Sequence, residues 1–355
     1  PPQVLWRVAM HDGGFAGPSV AANKVFIIDR EGDNDVVRAI DIGTGSDVWT
    51  FAYPEPGKDN FGYARSTPVV VAGKVYTLSR SGRLHCLDAG SGQKLWSRDI
   101  KADFGGQAPE YLYSMSPRVD GEKVIVCPGG RTGVAALHKD SGETIWTGGL
   151  GGPPGYATPA VGQLQGRKQY VIFSSDALYG VDADAGGPAL WQVPWGAEYK
   201  VNAAVPIVAD DFVFITCDYN VGCALIYVGP KGATAFWQNS LLQAHFSSPV
   251  YYKGYLFGIG NAGNGGDLMC LGPQNGELAW RQSGFEKGGL VAVDDTIIAM
   301  TGDKGDVVMV NATAEGYQEL GRIKPLGGQS WTAPIVSDGE LIIRNKTQLA
   351  CLDLM

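Results

Sequence analysis

The sequence lacks several features that would assign it to a common class of protein. Charged residues make up only 18% of its 355 residues, and the formal net charge is −8. The sequence contains no run of Lys or Arg. An acidic chain without a basic cluster is not expected to bind nucleic acid or an anionic membrane surface. No apolar stretch approaches the ~18 residues of a transmembrane helix. No signal peptide is recognisable at the start of the chain, which leaves its compartment open.

The six cysteines form no recognisable metal or redox motif. There is no C-x-x-C pair and no zinc-ligand spacing, and no two cysteines are adjacent. Three of them occupy one position of a repeat, where we expect small buried side chains: Cys86, Cys270 and Cys351. Cys217 and Cys223 flank the turn DYNVG, and the sequence leaves open whether they form a disulfide across a hairpin.

Glycine, in contrast, is abundant, with 51 residues, about twice the usual share. Residues 75–96, VYTLSRSGRLHCLDAGSGQKLW, are typical of short strands joined by tight turns and ending on a tryptophan. This pattern recurs about every 45 residues, as in a repeat protein. We expect Leu320 to replace Trp in one copy, and the other copies end at Trp49, Trp96, Trp146, Trp191, Trp237 and Trp280.

A second marker runs in phase with the tryptophans. Each repeat has a strand that opens on a proline, as in STPVV and ATPAV, where the missing N–H need not join a ladder. The markers are Pro18, Pro68, Pro117, Pro159, Pro206, Pro249 and Pro334, with Leu290 in the remaining place. Each repeat therefore predicts four short antiparallel strands, the size of one propeller blade.

The two ends of the sequence complement each other. The last repeat stops after its third strand, and the first residues, PPQVLWRV, read as a fourth strand with its tryptophan, Trp6. The sequence therefore predicts an all-β chain, a single domain over residues 1–355. The expected fold is an eight-bladed β-propeller of four-stranded antiparallel blades, closed by the N-terminal strand. Closure would remove exposed sheet edges. Each Trp ring is expected to fill the wedge between blades, with its N–H directed to a turn backbone.

These repeats resemble the PQQ-like, or quinoprotein-type, β-propeller repeat family, and the resemblance covers essentially the whole chain. The family includes quinoprotein alcohol dehydrogenases, the propeller lipoprotein of the outer-membrane barrel-assembly machinery, and uncharacterised PQQ-binding-like proteins. Details such as YSMSPRVDGEKVIVCPGG look most like the last group. The resemblance implies a BamB-like protein that is periplasmic or secreted.

The family's dehydrogenases carry adjacent cysteines beside pyrroloquinoline quinone (PQQ) and hold calcium through Glu, Asn and Asp. This chain has no Cys-Cys pair, and the calcium ligands match no motif in it. We therefore expect neither a PQQ cofactor nor a bound metal. The alternating carboxylates of DREGDNDV, from Asp29 to Asp35, suggest calcium at first sight. They do not follow the EF-hand pattern, and we expect a solvated hairpin instead.

One set of residues is a candidate ligand site. Three to four residues before each strand-opening marker, where propellers line their central funnel, the side chains are bulky, polar and mostly different. Phe15 holds this place in the first repeat, and the predicted site consists of Arg65, Tyr113, Tyr156, Asn202, His245, Lys287 and Trp331. Cationic groups and aromatic rings suit an anionic or polyhydroxylated ligand. A water-filled channel mouth whose polar groups satisfy one another is the alternative.

The longest predicted connections lie on the same face. YPEPGKDNFGYA and KADFGGQAPEYLY are rich in Gly, Pro and aromatic residues, and long loops on a rigid scaffold commonly carry function. The leading hypothesis is a monomeric binding or scaffold protein that holds a glycan, a small molecule or a protein segment. The alternative is an enzyme on this face, either an unusual PQQ-dependent dehydrogenase or a glycan-active enzyme, because Tyr, His and Lys can transfer protons.

Overall fold

The computed structural model describes residues 2–57, 61–261, 263 and 265–354. Pro1, Met355 and residues 58–60 of the first long loop, which the sequence analysis included, lie outside the described residues. Within these ranges the helices are α1 (Ile100–Phe104) and one 3₁₀ helix (Glu198–Lys200). Neither is long and apolar enough to pass through a bilayer. Nearly all other regular structure in the described ranges is β-strand.

The strands are short, and most have three to nine residues bounded by tight turns. In the first half of the chain they are β1 (Gln3–Ala9), β2 (Ser19–Ala21), β3 (Lys24–Glu31), β4 (Asn34–Asp41), β5 (Asp47–Pro54), β6 (Val69–Val71), β7 (Lys74–Leu78), β8 (Arg83–Asp88), β9 (Lys94–Asp99), β10 (Arg118–Asp120), β11 (Lys123–Val126), β12 (Val134–His138), β13 (Thr144–Gly148), β14 (Ala160–Leu164), β15 (Arg167–Phe173) and β16 (Ala177–Asp182).

The second half continues the same rhythm of strands. They are β17 (Gly186–Pro194), β18 (Ile207–Ala209), β19 (Phe212–Cys217), β20 (Gly222–Gly229), β21 (Gly232–Asn239), β22 (Val250–Tyr252), β23 (Tyr255–Gly260), β24 (Asp267–Leu271), β25 (Leu278–Ser283), β26 (Leu290–Val293), β27 (Thr296–Met300), β28 (Val307–Asn311), β29 (Glu319–Ile323), β30 (Ile335–Ser337), β31 (Glu340–Arg344) and β32 (Gln348–Asp353).

In the described residues these strands form six four-stranded sheets and one eight-stranded sheet. Most sheets follow chain order, as in β2–β3–β4–β5, and are antiparallel throughout. The eight-stranded sheet joins two such antiparallel units, β10–β13 and β14–β17, through the single parallel pair Gly148–Gly187. The first strands of successive units contact one another, as β2 does β6 and β26 does β30. The fold is thus a β-propeller, and the predicted four-stranded repeat is confirmed.

The two ends of the chain meet in one sheet, as predicted. Strand β1 pairs antiparallel with β32, so the sheet order is β1–β32–β31–β30. Trp6 of β1 lies across from Cys351 and is 8% exposed. Its Nε1 donates to the carbonyl of Ile42 in the next unit at 2.6 Å. The N-terminal strand therefore completes the last sheet and also binds the first.

Tryptophans of the outer strands connect neighbouring units in the predicted way. Trp49 is 9% exposed, and its Nε1 donates to the carbonyl of Ala89 in the next unit at 3.1 Å. A Cβ on Gly92 of that turn would lie 2.6 Å from the Trp49 ring, and Gly92 has φ +74°, so only glycine fits. The contact to a turn carbonyl recurs at Trp96, Trp237 and Trp280. Small side chains lie across the sheet from three of these rings, namely Ala39, Cys86 and Cys270, whereas Leu225 lies across from Trp237.

Hydroxyl groups connect the inner strands. Thr67, directly before its strand-opening proline, accepts from the backbone N–H of Gly17 in the preceding unit at 3.1 Å, and its own N–H donates to Ser116 Oγ at 2.9 Å. The same contact joins Ser116 N to Thr158 Oγ1 at 3.0 Å and Val205 N to Ser248 Oγ at 3.0 Å. A hydroxyl in one unit thus satisfies a backbone donor of the unit before it.

The prediction that Leu320 replaces a tryptophan was wrong by one residue. Leu320 is 59% exposed, and Gly321 pairs with Met309 in the register that other units give to Trp. A Cβ on Gly321 would lie 3.1 Å from Met309 Cε. The larger Met309 side chain therefore takes space that a small residue leaves to Trp elsewhere.

The carboxylates of DREGDNDV are only partly solvated, which corrects the expected solvated hairpin. Asp35 is fully buried and pairs with Arg30 across the strands at 2.9 Å. Asp29 is 4% exposed and binds Arg38 Nη1 at 2.9 Å. Burial raises the pKa of Asp35 to about 6, against the opposing hydrogen bond from Arg30. Glu31 and Asp33 lie at the exposed tip of the hairpin, whereas Asp29 and Asp35 lie in the buried parts of its strands, where arginines balance them.

All six cysteines are buried and free. The Nε1 of Trp195 donates to Cys217 Sγ at 3.2 Å, and Cys223 Sγ donates to the amide oxygen of Asn239 at 3.2 Å. Cys217 and Cys223 thus have different hydrogen-bond partners. Burial raises the pKa of both thiols to about 11, so they are not activated nucleophiles.

Candidate functional site

The candidate site is defined by one position that precedes each inner strand. The third residue before each strand-opening marker is partly exposed in all but one unit, where Tyr156 is 8% exposed. We call this the inner-ring position. Its occupants are Phe15, Arg65, Ser114, Tyr156, Ala203, Phe246, Lys287 and Trp331. Four residues of the predicted site, Arg65, Tyr156, Lys287 and Trp331, hold this position.

Two of the predicted site residues lie one place earlier and are buried. Tyr113 is 1% exposed and its hydroxyl donates to the carbonyl of Pro128 at 2.6 Å. Asn202 is fully buried, and its Nδ2 donates to the carbonyls of Ser174 at 2.7 Å and Trp195 at 3.2 Å. These bonds fix loops behind the ring, so the structure gives Tyr113 and Asn202 a positioning role without an accessible surface.

Aromatic rings from separate units form a continuous run across the site. Trp331 lies between Phe15, with 5.6 Å between ring centroids, and Phe246, at 5.4 Å. The run continues through His245, 4.9 Å from Phe246, to Tyr219 at 5.3 Å. Because the members come from distant parts of the chain, only the folded propeller brings them together.

Lys287 extends into this aromatic run. Its Nζ lies 5.3 Å from the ring centroid of Trp331 and 5.9 Å from that of Phe246. An ammonium group over aromatic faces is attracted by their negative electrostatic potential. The Nε1 of Trp331 is buried and has no hydrogen-bond partner in the described part of the chain. This corner therefore presents a positive charge beside apolar ring faces, with an unpaired indole N–H enclosed next to them.

His245 is held by a hydrogen bond to a neighbouring tyrosine. Its Nε2 lies 2.9 Å from the hydroxyl of Tyr219. Burial lowers the pKa of His245 to about 4, helped by the positive charge of Lys287. Burial likewise raises the pKa of Tyr219 to about 12. The pair is therefore neutral near pH 7, far from the pKa values that suit a general acid or base at that pH.

Arg65 lies beside the second long loop. Its Nη1 donates to the carbonyl of Tyr111, whose backbone N–H lies 3.2 Å from the hydroxyl of Tyr156. The Tyr111 ring lies 6.1 Å from that of Tyr156 and 5.3 Å from that of Phe61. Arg65 therefore orders this loop as well as lining the site.

The structure adds residues that sequence reasoning missed. Phe246 was passed over for its neighbour His245, although strict counting from Pro249 would have selected it. Tyr111 and Tyr219 come from loops outside the repeat pattern, so periodicity gave no signal for them. Tyr111 does lie in the long loop KADFGGQAPEYLY, whose aromatic content was the available hint.

The first long loop borders two cavities. One, of about 710 Å³, is lined by residues that include Asp29, Arg38 and Tyr63. The other, of about 260 Å³, is lined by residues that include Glu55 and Arg80. The Tyr63 ring lies 4.1 Å from the guanidinium carbon of Arg30 and 5.6 Å from that of Arg80. Ion pairs and these stacks therefore hold the described part of the loop against its sheet.

One group of side chains in the described ranges has metal-ligand spacing, and it lies on the surface. Potential ligand atoms of Glu122, His138 and Asp140 lie within 4.8 Å of one another. Lys139 Nζ binds Glu122 at 2.5 Å, and Lys74 Nζ binds Asp140 at 2.8 Å. Lysine ammonium groups thus already neutralise these carboxylates.

The sheet topology and the inner ring define a β-propeller built from PQQ-like repeats. The sequence profile of the family described as "Outer membrane protein assembly factor BamB" matches residues 33–282. The chain belongs to this family.

Individual relatives agree with this membership. BamB of Salmonella typhimurium strain LT2 is 32% identical over 138 residues, 38% of this chain and 31% of the relative. The quinohemoprotein alcohol dehydrogenase ADH-IIG of Pseudomonas putida is 33% identical over 151 residues, 40% of this chain and 20% of the enzyme. The match thus spans less than a third of either relative. The BamB structure from Moraxella catarrhalis superposes with a TM-score of 0.71 at 17% identity, covering 99% of this chain and 100% of that one.

The inner ring does not fit the quinone–calcium centre of the dehydrogenase relatives. None of its eight positions holds a carboxylate that could bind calcium. The six cysteines are buried singly within sheets and turns, and no two are adjacent. We therefore derive no redox step for this chain.

Proposed function

We propose that this protein is a binding scaffold that uses its loop-bearing face and inner ring to hold a glycan, a small molecule or a protein segment, without quinone chemistry. The observation that carries the proposal is the run of rings from Phe15 through Trp331 and Phe246 to Tyr219, with Lys287 over two of them. Partly exposed rings from several rigid sheets form a preorganised surface, which lowers the entropic cost of binding.

We also propose that the seven sheets act as eight blades of one domain. The eight-stranded sheet has only one residue pair between its two halves, Gly148–Gly187, and each half has the antiparallel order of a complete unit. The hydroxyl contacts follow the same division, since Ser116 N in one half donates to Thr158 Oγ1 in the other, as between other neighbouring units. Closure by β1 then leaves no unit incomplete.

An extracytoplasmic location is part of the proposal and rests on family membership. The matched family is named for an outer-membrane assembly factor, and such a factor works outside the cytoplasm. The acidic net charge of −8 agrees with a partner other than nucleic acid. A protein segment as ligand would agree with the assembly role in the relatives' names.

An enzyme on the same face is the second candidate. Tyr219 and His245 form the kind of hydrogen-bonded pair that transfers protons. The lowered pKa of His245, about 4, and the raised pKa of Tyr219, about 12, make this pair a poor proton carrier at neutral pH. We therefore favour binding over catalysis.

The test is retention of probes by wild type and two variants. An array of neutral oligosaccharides, acidic oligosaccharides and peptides is incubated with wild type, Trp331→Ala and Phe236→Ala. Phe236 is 59% exposed on the outer strand β21 and serves as an aromatic control away from the ring. We expect at least one probe to bind wild type and Phe236→Ala and to be lost by Trp331→Ala. Equal binding to all three proteins, or no binding to any, would reject the inner ring as the site.

A further inference from the structure

We propose that Phe246, Lys287 and Trp331 bind a single acidic sugar residue of a glycan, with its carboxylate at the ammonium group and its ring against the aromatic faces. This inference rests on the proposed function and adds the chemical class of the ligand. The site is called the Lys287 corner below.

The charge of the inner ring points to an anion. Its eight positions include two cations, Arg65 and Lys287, and no carboxylate, in a chain whose formal net charge is −8. Within the ranges that the structure describes, the Lys287 ammonium contacts only aromatic rings and makes no ion pair. A half-buried ammonium without a counter-ion loses part of its hydration, and an incoming carboxylate would offset that loss.

The hydrogen-bonding groups of the corner are donors. Lys287 offers an ammonium group. The Nε1–H of Trp331 has no acceptor among the described residues but is buried, so a ligand atom reaches it only when the indole ring moves. A carboxylate is an acceptor only, so it matches both groups. A peptide would also bring backbone N–H groups, which need acceptors that the Lys287 corner does not supply. A sugar hydroxyl can accept as well as donate, and this favours a sugar over a peptide.

The ring faces supply the apolar part of the contact. Trp331 lies 5.4 Å from Phe246 and 5.6 Å from Phe15, and all three rings are partly exposed. Pyranose rings present a flat C–H face that packs on aromatic side chains, while their hydroxyl groups remain at the edge. Such sites combine apolar walls with a few placed polar groups.

The far rim limits how much negative charge the ligand carries. The Tyr199 ring lies 5.4 Å from that of Tyr219, at the far end of the aromatic run. Glu198 acts electrostatically on both tyrosines, Asp218 acts on Tyr219, and Glu110 acts on Tyr199. Their carboxylates would repel a second or third anionic group of a polyanion. The arrangement therefore fits one acidic residue at the Lys287 corner, followed by neutral sugar toward the tyrosines.

Calorimetric titration with methyl glucuronoside and the matched neutral methyl glucoside tests the proposal. The proteins are wild type, Lys287→Met, which keeps an unbranched side chain without the charge, and Lys231→Met, which removes an exposed lysine in a turn of the β18–β21 sheet. We expect wild type and Lys231→Met to bind the glucuronoside at least 10-fold more tightly than the glucoside. Lys287→Met should lose that preference. Thermal unfolding of all three proteins confirms that the variants are folded.

The possible outcomes separate this inference from the function on which it rests. If wild type binds both sugars equally, or Lys287→Met keeps the preference, the acidic-sugar assignment is wrong while glycan binding stands. If a short peptide with a free C-terminal carboxylate binds through Lys287 at least 10-fold more tightly than the glucuronoside, the ligand is a protein segment. If neither sugar nor the peptide binds, the inference fails, and the probe array described above decides whether the proposed function stands.

Discussion

Arg344 and Asp12 form a bidentate ion pair with no exposed side-chain surface, although 332 residues separate them in the sequence. The Nη2–Oδ1 distance is 2.6 Å and the Nη1–Oδ2 distance is 3.1 Å. The same guanidinium donates to the carbonyl of Ala16 at 2.8 Å. The pair ties the end of β31 to the segment that follows β1, so it reinforces the closure of the sheet that contains both chain ends.

Removing one partner of this pair should be costly. Asp12→Ala leaves the Arg344 guanidinium buried without its counter-ion, which typically destabilises a protein by about 3–5 kcal/mol. Denaturant unfolding followed by tryptophan fluorescence measures the change. Asp295→Ala, which removes the partner of exposed Lys253, is the control and should cost less than about 1 kcal/mol. Equal effects of the two substitutions would mean that the buried pair adds nothing to closure.

Trp6 should be a second determinant of closure. Trp6→Ala removes a side chain that is 8% exposed and donates to Ile42 in the next unit. We expect a loss of about 3–5 kcal/mol, as for other buried Trp truncations. Leu5→Ala is the matched control, because Leu5 precedes Trp6 on the same strand but is 45% exposed.

The oligomeric state provides an independent test of the same closure. A chain lacking residues 1–8 exposes the β32 edge, which β1 covers in the intact protein. Unpaired strand edges promote association, so size-exclusion chromatography should show aggregates. A monomeric profile with unchanged melting would contradict the closing role of β1.

The repeat could be predicted from the sequence because each residue that defines it has the same surroundings in every unit. The pairing of a Trp with a turn glycine, as between Trp49 and Gly92, recurs because the Trp ring packs against a turn residue that has no Cβ. The closing strand could be predicted because Trp6 occurs without the three strands that normally precede it. The eight-stranded sheet could not be predicted, since the Gly148–Gly187 bridge involves a turn that is one residue longer than its equivalents. Gly186 lies five residues before Trp191, whereas Gly142 lies four before Trp146.

The inner-ring position was predicted less precisely because side chains alternate between buried and accessible along the extended segment before each inner strand. A one-residue slip exchanges buried and accessible positions, which is why Tyr113 and Asn202 were selected although they lie in the interior. Phe246 was missed for the same reason. Tyr111 and Tyr219 lie in irregular loops, whose course no periodic pattern reveals.

Substitutions at the inner hydroxyl contacts should either lower or raise the free energy of unfolding. Thr158→Val keeps the shape of the side chain but removes the acceptor for Ser116 N–H, and should cost about 1–2 kcal/mol as a donor loses its partner. Thr158→Ser retains the acceptor and is the control. Val205→Thr places a hydroxyl at the equivalent position of the next unit, and should gain about 0.5–1.5 kcal/mol. Denaturant midpoints measure all three, and a neutral Thr158→Val would contradict the role assigned to the contact.

His85 should make the fold sensitive to acid. It is 6% exposed and lies 4.5 Å from the Tyr53 ring, and neither of its ring nitrogens has a hydrogen-bond partner among the described residues. Burial lowers the pKa of His85 from 6.5 to about 4, with help from Lys94 and Arg83. Because the folded pKa lies below the unfolded one, the unfolded chain takes up the proton first as the pH falls. The stabilising contribution is thus complete above pH 6.5 and is lost on acidification toward pH 4.

The variant His85→Phe isolates this effect. Phenylalanine preserves the ring contact with Tyr53 and cannot be protonated, so the free energy of unfolding of wild type should fall by about 2 kcal/mol relative to the variant between pH 7 and pH 5. At pH 7 the variant should be at least as stable, because two unsatisfied polar atoms have been removed. A constant difference between wild type and His85→Phe across this range would show that the buried imidazole is protonated as readily in the folded chain as in the unfolded one.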